Sequence, residues 1–180
     1  MLNGITLGII ITLILLFLCI ILSILVNALL APTSKTPTKV LDEIADIMDV
    51  KKKDVFMDLG SGDGRLVFKV YERALCKCFG YDLSPVNIII SNVVRAFRFP
   101  LSKDIVFEAQ NVFKVDISKV KKIYCFLDEK SMDILKCRLE EFVKKGGEVY
   151  SYMYNVKGLK GEKKMELSNG KELYIYKGKE

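Results

Sequence analysis

Val55–Leu66 reads VFMDLGSGDGRL. An apolar run meets an acid, Asp58. Gly60, Gly62 and Gly64 follow at alternate positions, with Asp63 between the last two, and a second apolar run begins at Leu66. Glycines this close together let a backbone bend tightly and approach another group. A strand, a glycine turn and a helix form the unit that places ligands at the carboxyl ends of strands in an open parallel sheet. A dinucleotide fold spaces its glycines G-x-G-x-x-G to seat a pyrophosphate on a helix N-terminus. Here the spacing is G-x-G-x-G, and the two carboxylates would repel phosphate and favour a ligand with positive charge.

The surrounding pattern alternates strand and helix. Thr36 as N-cap and Pro37 at the first helical position open a helix with Val40, Leu41, Ile44, Ile47 and Met48 on one face. Lys51–Asp54 ends it. Strands are predicted at Val55–Leu59, Cys76–Asp82, Ile105–Ala109, Lys122–Leu127 and Glu148–Tyr154. Helices are predicted at Arg65–Ala74, at Pro85–Phe97 behind Ser84, and at Ser131–Lys145 before Gly146-Gly147. Met165–Tyr176 reads as a hairpin with a type I′ turn at Asn169-Gly170. The fold class is α/β: a Rossmann-like, mostly parallel sheet covered on both faces, with a C-terminal antiparallel hairpin.

Asp82 closes the second strand about 20 residues beyond the glycines, where an acid binds ribose hydroxyls. A cationic, ribose-bearing nucleoside without phosphates is S-adenosylmethionine. The glycines let the backbone approach its methionine part, and Asp58 and Asp63 favour its ammonium and sulfonium end. The competing reading is a glycine turn needed only for packing, which leaves the second acid-ended strand unexplained.

Met1–Ser34 carries no charged side chain, so the net charge of +6 belongs to the rest of the chain. Ile5–Ala31 is an almost unbroken apolar run that would form a helix about 40 Å long, enough to cross a hydrocarbon core of roughly 30 Å. A cleaved signal peptide needs a basic start and a shorter apolar core. The expected organisation is a transmembrane anchor at 1–34, a linker and helix at 35–54, and a catalytic domain at 55–180. Lys35, Lys39 and Lys51–Lys53 follow the apolar run and no basic residue precedes it, which predicts a single-pass protein with its domain in the cytoplasm. There is no histidine, and the five cysteines fall in apolar stretches. They read as reduced packing residues, and no metal is expected. Lys157, Lys160, Lys163 and Lys164 read as solvated surface, and no nucleic-acid partner is expected.

DLGSGDGR followed by YDLSP resembles motif I and the following acidic motif of seven-stranded class I methyltransferases. A narrower resemblance covers nearly all of the part after the apolar run. KTPTKVLDEIADIMDVKKKDVFMDLGSGDGRLV and IYCFLDEKSMDILKCRLEEFVKKGGEVYSYMY are similar to the membrane-anchored mitochondrial lysine methyltransferases of ATP synthase c-subunit and the adenine nucleotide translocase, and to archaeal protein-lysine methyltransferases. The resemblance implies that Asp58, Gly60, Gly62 and Asp63 line the methionine part of the cofactor and that Asp82 holds the ribose. It implies that Thr36, in the segment leading into the site, also binds the cofactor, as does Asn111. Asn111 stands where the family usually has an acid near the adenine, and Asp128 replaces a family proline.

Methyl transfer to lysine is an in-line displacement that needs positioning and exclusion of water. Asp128 and Glu129, at the end of the fourth strand, are the candidate catalytic residues, orienting the amine or accepting its proton. The plain alternative makes them exposed acids capping the next helix. The expected substrate is a membrane-associated protein. The alternatives are a lipid or quinone substrate, or a non-catalytic, membrane-tethered module that binds the cofactor.

Overall fold

The computed structural model describes residues 3–30, 36–159 and 161–178, apart from the side chains of 24–30 and 162. The end of the expected anchor, 31–34, and Lys35 at the start of the expected linker lie outside the described residues, as does Lys160. The chain divides into two compact units, Met1–Lys35 and Thr36–Glu180.

Among its described residues the first unit holds one helix, α1 (Gly4–Leu30). Its Gly4–Ser23 portion is long and apolar enough to cross a membrane. Thr12 removes its own polarity by donating its hydroxyl to Gly8 O at 2.9 Å.

The second unit contains α2 (Thr38–Met48), β1 (Val55–Leu59), α3 (Arg65–Ala74), β2 (Lys77–Asp82), α4 (Pro85–Arg98), β3 (Ile105–Ala109), β4 (Lys122–Cys125), α5 (Glu129–Lys144), β5 (Glu148–Tyr152), β6 (Glu162–Glu166) and β7 (Glu172–Lys177). The sheet runs in the order β3-β2-β1-β4-β5-β7-β6. Pairings from β3 to β5 are parallel, and β7 is antiparallel to both its neighbours. This is the class I methyltransferase sheet. Chain order reverses between β1 and β4, which makes the carboxyl end of β1 the switch point where such sheets bind ligands.

Alternation along β1 builds two cores. Phe56 joins Ile44 of α2, Phe68 of α3, Ile88 of α4, and Phe107 and Tyr150 of the sheet. Met57 and Leu59 face the other way, against Met132, Leu135 and Leu139 of α5. Lys122, at the start of β4, is buried. Its Nζ donates to Met48 O at 2.6 Å and Asp49 O at 3.1 Å, closing the carboxyl end of α2. That contact docks α2 on the sheet through a lysine that reads from sequence as an ordinary strand residue.

Three expectations shift. The N-cap of α2 is Pro37 rather than Thr36, whose carbonyl is already taken by Arg65 Nη1 at 3.0 Å. α5 begins at Glu129 because Asp128 caps it, and β4 pairs only to Cys125. The β6–β7 turn is not type I′. Gly170 has φ +73° and Asn169 does not have positive φ, and Gly170 N–H bonds Leu167 O at 2.8 Å. That pattern is a type I turn relieved by a left-handed glycine, the three-residue hairpin loop. Asn169 instead spends its side chain on Tyr152 Oη at 2.8 Å.

Candidate active site

The loop after β1 is held from below by β2. Tyr81 O accepts the N–H groups of both Gly60 and Ser61, at 2.8 and 2.9 Å. Asp82 then holds the crest of the loop: Oδ2 accepts Gly62 N–H at 2.8 Å, while Oδ1 accepts Ser84 N–H and the Asn87 side-chain amide at 2.8 and 3.2 Å. Ser91 of α4, fully buried, sets its hydroxyl 3.2 Å from Gly62 O. Asn87 and Ser91 carry no recognisable motif, and only their spacing on the helix behind Ser84 could have suggested them.

Two glycines matter for different reasons. Gly60 has φ +86°, and a Cβ there would stand 2.7 Å from Leu127 Cδ2, so the end of β4 closes directly over it. At Gly62, with φ +54°, a Cβ would meet nothing within 4 Å. Space therefore remains against the loop beside Gly62 while its rear is packed.

Asp58 lies beneath this loop, 2% exposed. Burial, with Asp82 and Asp63 nearby, pushes its carboxyl well above the ordinary range. Its register partners are Gly80 on β2 and Tyr124 on β4. Ser61 Oγ sits 2.9 Å from where a Gly80 Cβ would stand. Asp58 Oδ1, Ser61 Oγ and Tyr124 Oη are all buried without a hydrogen-bond partner; Asp58 and Tyr124 are register partners in the sheet, and Ser61 lies in the loop after β1. A buried carboxylate with an unsatisfied oxygen, under a loop that bears Asp63 and is clamped by Asp82, suits a cationic ligand with hydrogen-bond donors and opposes a phosphate.

The remaining predicted residues lie along the same edge of the sheet. Asp63 accepts Arg65 Nε at 3.0 Å, and the same guanidinium reaches Thr36 O. Arg65, which sequence reading passed over, thus ties the segment before α2 to the glycine loop. Asn111 follows β3, half-buried, and its Oδ1 accepts Phe113 N–H at 2.9 Å in a local turn. Asp128 caps α5: Oδ1 accepts Ser131 N–H at 2.9 Å, and Oδ2 accepts the Ser131 hydroxyl at 3.0 Å. These bonds hold its carboxyl below the usual range. Glu129 pairs with Lys157, which lowers its carboxyl too. No cluster of metal-ligating side chains occurs among the described residues.

A family model described as the ANTKMT methyltransferase domain matches residues 58–163, from the acid beneath the glycine loop to β6. The chain belongs to this family. It is an S-adenosylmethionine-dependent class I methyltransferase. A protein-lysine N-methyltransferase of Saccharolobus islandicus is 27% identical over 154 residues, covering 81% of this chain and 92% of that protein. The adenine nucleotide translocase lysine N-methyltransferase of Mus musculus is 27% identical over 95 residues, 53% of this chain and 41% of that one. The match therefore spans less than half the length of this animal relative. Among solved structures, an RNA methyltransferase from Salinibacter ruber in complex with S-adenosyl-L-homocysteine superposes with TM-score 0.71 at 25% identity, covering 79% of this chain and 92% of that one. The methyltransferase sheet is thus shared with a structure in complex with S-adenosyl-L-homocysteine.

Proposed function

We propose that this methyltransferase is anchored in a membrane by α1, with its domain cytoplasmic, and that it methylates lysine side chains of membrane-associated proteins. The observation that carries the cofactor half of this reading is Asp58 Oδ1, buried and unpartnered beneath the loop whose Gly62 faces space. When bound, the cofactor supplies an electrophilic methyl group on a sulfonium. Asp58 and Ser61 would receive its ammonium end, and Gly60 and Gly62 would admit its methionine part. Asp63, with its charge partly offset by Arg65, would line the methionine part from the loop. Asp82 would take a ribose hydroxyl with the acceptor capacity left after its three internal bonds. Asn111 would face the adenine.

Asp128 and Glu129 would act on the lysine by charge. Carboxylates held below their ordinary range are poor bases toward an amine whose free pKa is about 10.4. Their proposed role is to draw and orient the substrate ammonium, with its proton leaving to water. Glu129 is the more adaptable of the two because its partner Lys157 is an exposed side chain. Lysine as acceptor is supported by the two named lysine methyltransferases among the relatives, and membrane attachment by the length and apolarity of α1.

The test is transfer of labelled methyl from the cofactor to membrane fractions by the purified full chain. The expected product is acid-stable, protein-bound and mapped to lysine by mass spectrometry. Label confined to organic-soluble lipid, or to RNA, would overturn the lysine assignment.

A further inference from the structure

The helix α4 turns most of its apolar surface away from the domain. Only Ile88 and Ser91 on it are buried. Ile89, Val93 and Phe97 form a ridge at i, i+4 and i+8, exposed by 62, 50 and 84%. Leu83 precedes this ridge and Leu101, 94% exposed, follows it. Scattered apolar side chains are normal on a surface, but a continuous stripe along a whole helix marks an interaction site.

Charge narrows the partner. From Pro85 to Lys103 the chain has Arg95, Arg98 and Lys103 and no acidic residue. Arg98 shares its charge with Glu72 of α3, and Arg95 Nη1 donates to Ser102 O at 3.3 Å. An outward apolar face with an aromatic side chain and basic flanks is the chemistry that seats helices at an anionic bilayer surface.

α2, α3 and α4 cover one face of the sheet, tied in sequence by Arg73 to Asp42 and Asp46, and by Arg98 to Glu72. The stripe is therefore on the outer side of this helical layer, at the end of the layer farthest from α2.

We infer that the outer face of α4, from Leu83 to Leu101, rests on the lipid headgroup surface. The inference depends on the anchored reading of α1. Because α4 runs antiparallel to the strands, its first residues lie at the edge of the sheet that carries Asp82. With the stripe on the membrane, the cofactor loop opens along the bilayer surface, toward segments that project from it, rather than away into solvent.

The chain has no tryptophan, so one introduced residue is a unique fluorophore. Phe97→Trp and, on α5 across the sheet, Ile134→Trp would each be placed in the full chain. The proteins would be reconstituted in phosphatidylcholine–phosphatidylglycerol vesicles with and without brominated acyl chains. Flotation is expected for both, with Phe97→Trp quenched several-fold more strongly than Ile134→Trp, and less so when phosphatidylglycerol is omitted. Flotation with equally weak quenching at both positions would overturn the α4 proposal and leave the anchor standing. A concentration-dependent blue shift of Phe97→Trp without bromine quenching would assign the stripe to a second copy and overturn it as well. Failure to float would overturn both.

Discussion

The carboxylate of Asp82 accepts the backbone N–H of Gly62 at 2.8 Å, joining the end of β2 to the crest of the loop after β1. The acid expected to serve the ribose is therefore also the clamp that shapes the glycine loop. Asp82→Asn keeps the size but loses charge-assisted acceptance. It should weaken S-adenosylmethionine binding by about 1–3 kcal/mol in titration calorimetry. Asp82→Ala should also raise hydrogen exchange at Ser61–Gly64. Unchanged exchange in Asp82→Ala would show that the clamp is dispensable.

Asp58 should make cofactor binding release a proton. Its folded-state carboxyl titrates well above the usual range, chiefly through burial. A cation seated on it favours the ionised form. Binding enthalpy should therefore vary with the ionisation enthalpy of the buffer across the pH range in which Asp58 titrates, and this dependence should vanish in Asp58→Asn. The sign for the unliganded protein follows from the same shift. A group with a raised folded pKa contributes stability that is complete below its unfolded value, about 3.9, and is lost as pH rises through the folded one. Asp58→Asn should therefore flatten the loss of thermal stability with rising pH.

Tyr124 Oη, the register neighbour of Asp58, is a buried hydroxyl without a partner. Removing such a group relieves an unsatisfied donor. Tyr124→Phe should leave the unliganded protein as stable as wild type or more so by about 1 kcal/mol in urea unfolding. A loss above that amount would mean that the hydroxyl supports the fold.

Gly60→Ala places a Cβ 2.7 Å from Leu127 and asks a residue with a side chain to hold φ +86°. The expected cost is about 1–3 kcal/mol of stability. The displaced Leu127 would also disturb the end of β4, so activity should fall even where the protein remains folded. At Gly62, with open space, Ala should cost less stability than at Gly60 yet still weaken cofactor binding. Equal stability loss at the two positions would contradict the packing difference.

Asp128 and Glu129 should separate under mutation. Asp128→Ala removes the cap of α5 and should lower the melting temperature. Because the capped carboxyl titrates low, that stability is present above about pH 4 and is lost in wild type as pH falls through its folded value. Glu129→Gln should leave the melting temperature nearly unchanged and raise KM for the protein substrate more than it changes cofactor affinity. The reverse pattern would move the substrate-orienting role to Asp128.

Much of the sheet was legible because its signals are local. The apolar run into Asp58, the alternate glycines and the acid closing β2 define motif and strand ends within a few residues. The helices behind Ser84 and before Gly146 are likewise marked by their caps. The same local chemistry misled at Asn169-Gly170, where the pair supports two hairpin geometries and the Asn169 bond to Tyr152 accompanies the one formed. It was ambiguous at Asp128, where a cap and a catalytic acid look alike in sequence.

By itself the sequence determined the alternation of strands and helices, the acid-lined glycine turn and the apolar helix ahead of them, because periodicity and turn chemistry act between residues close along the chain. Only the tertiary structure decided that Asp82 clamps Gly62, that Arg65 reaches back to Thr36, that Lys122 closes α2, and that Leu127 packs against Gly60. Those contacts join residues distant in sequence. Parallel pairing brings the ends of β2, β1 and β4 side by side, and the packing of α2 and α3 on the sheet brings Lys122 to Met48 and Arg65 to Thr36.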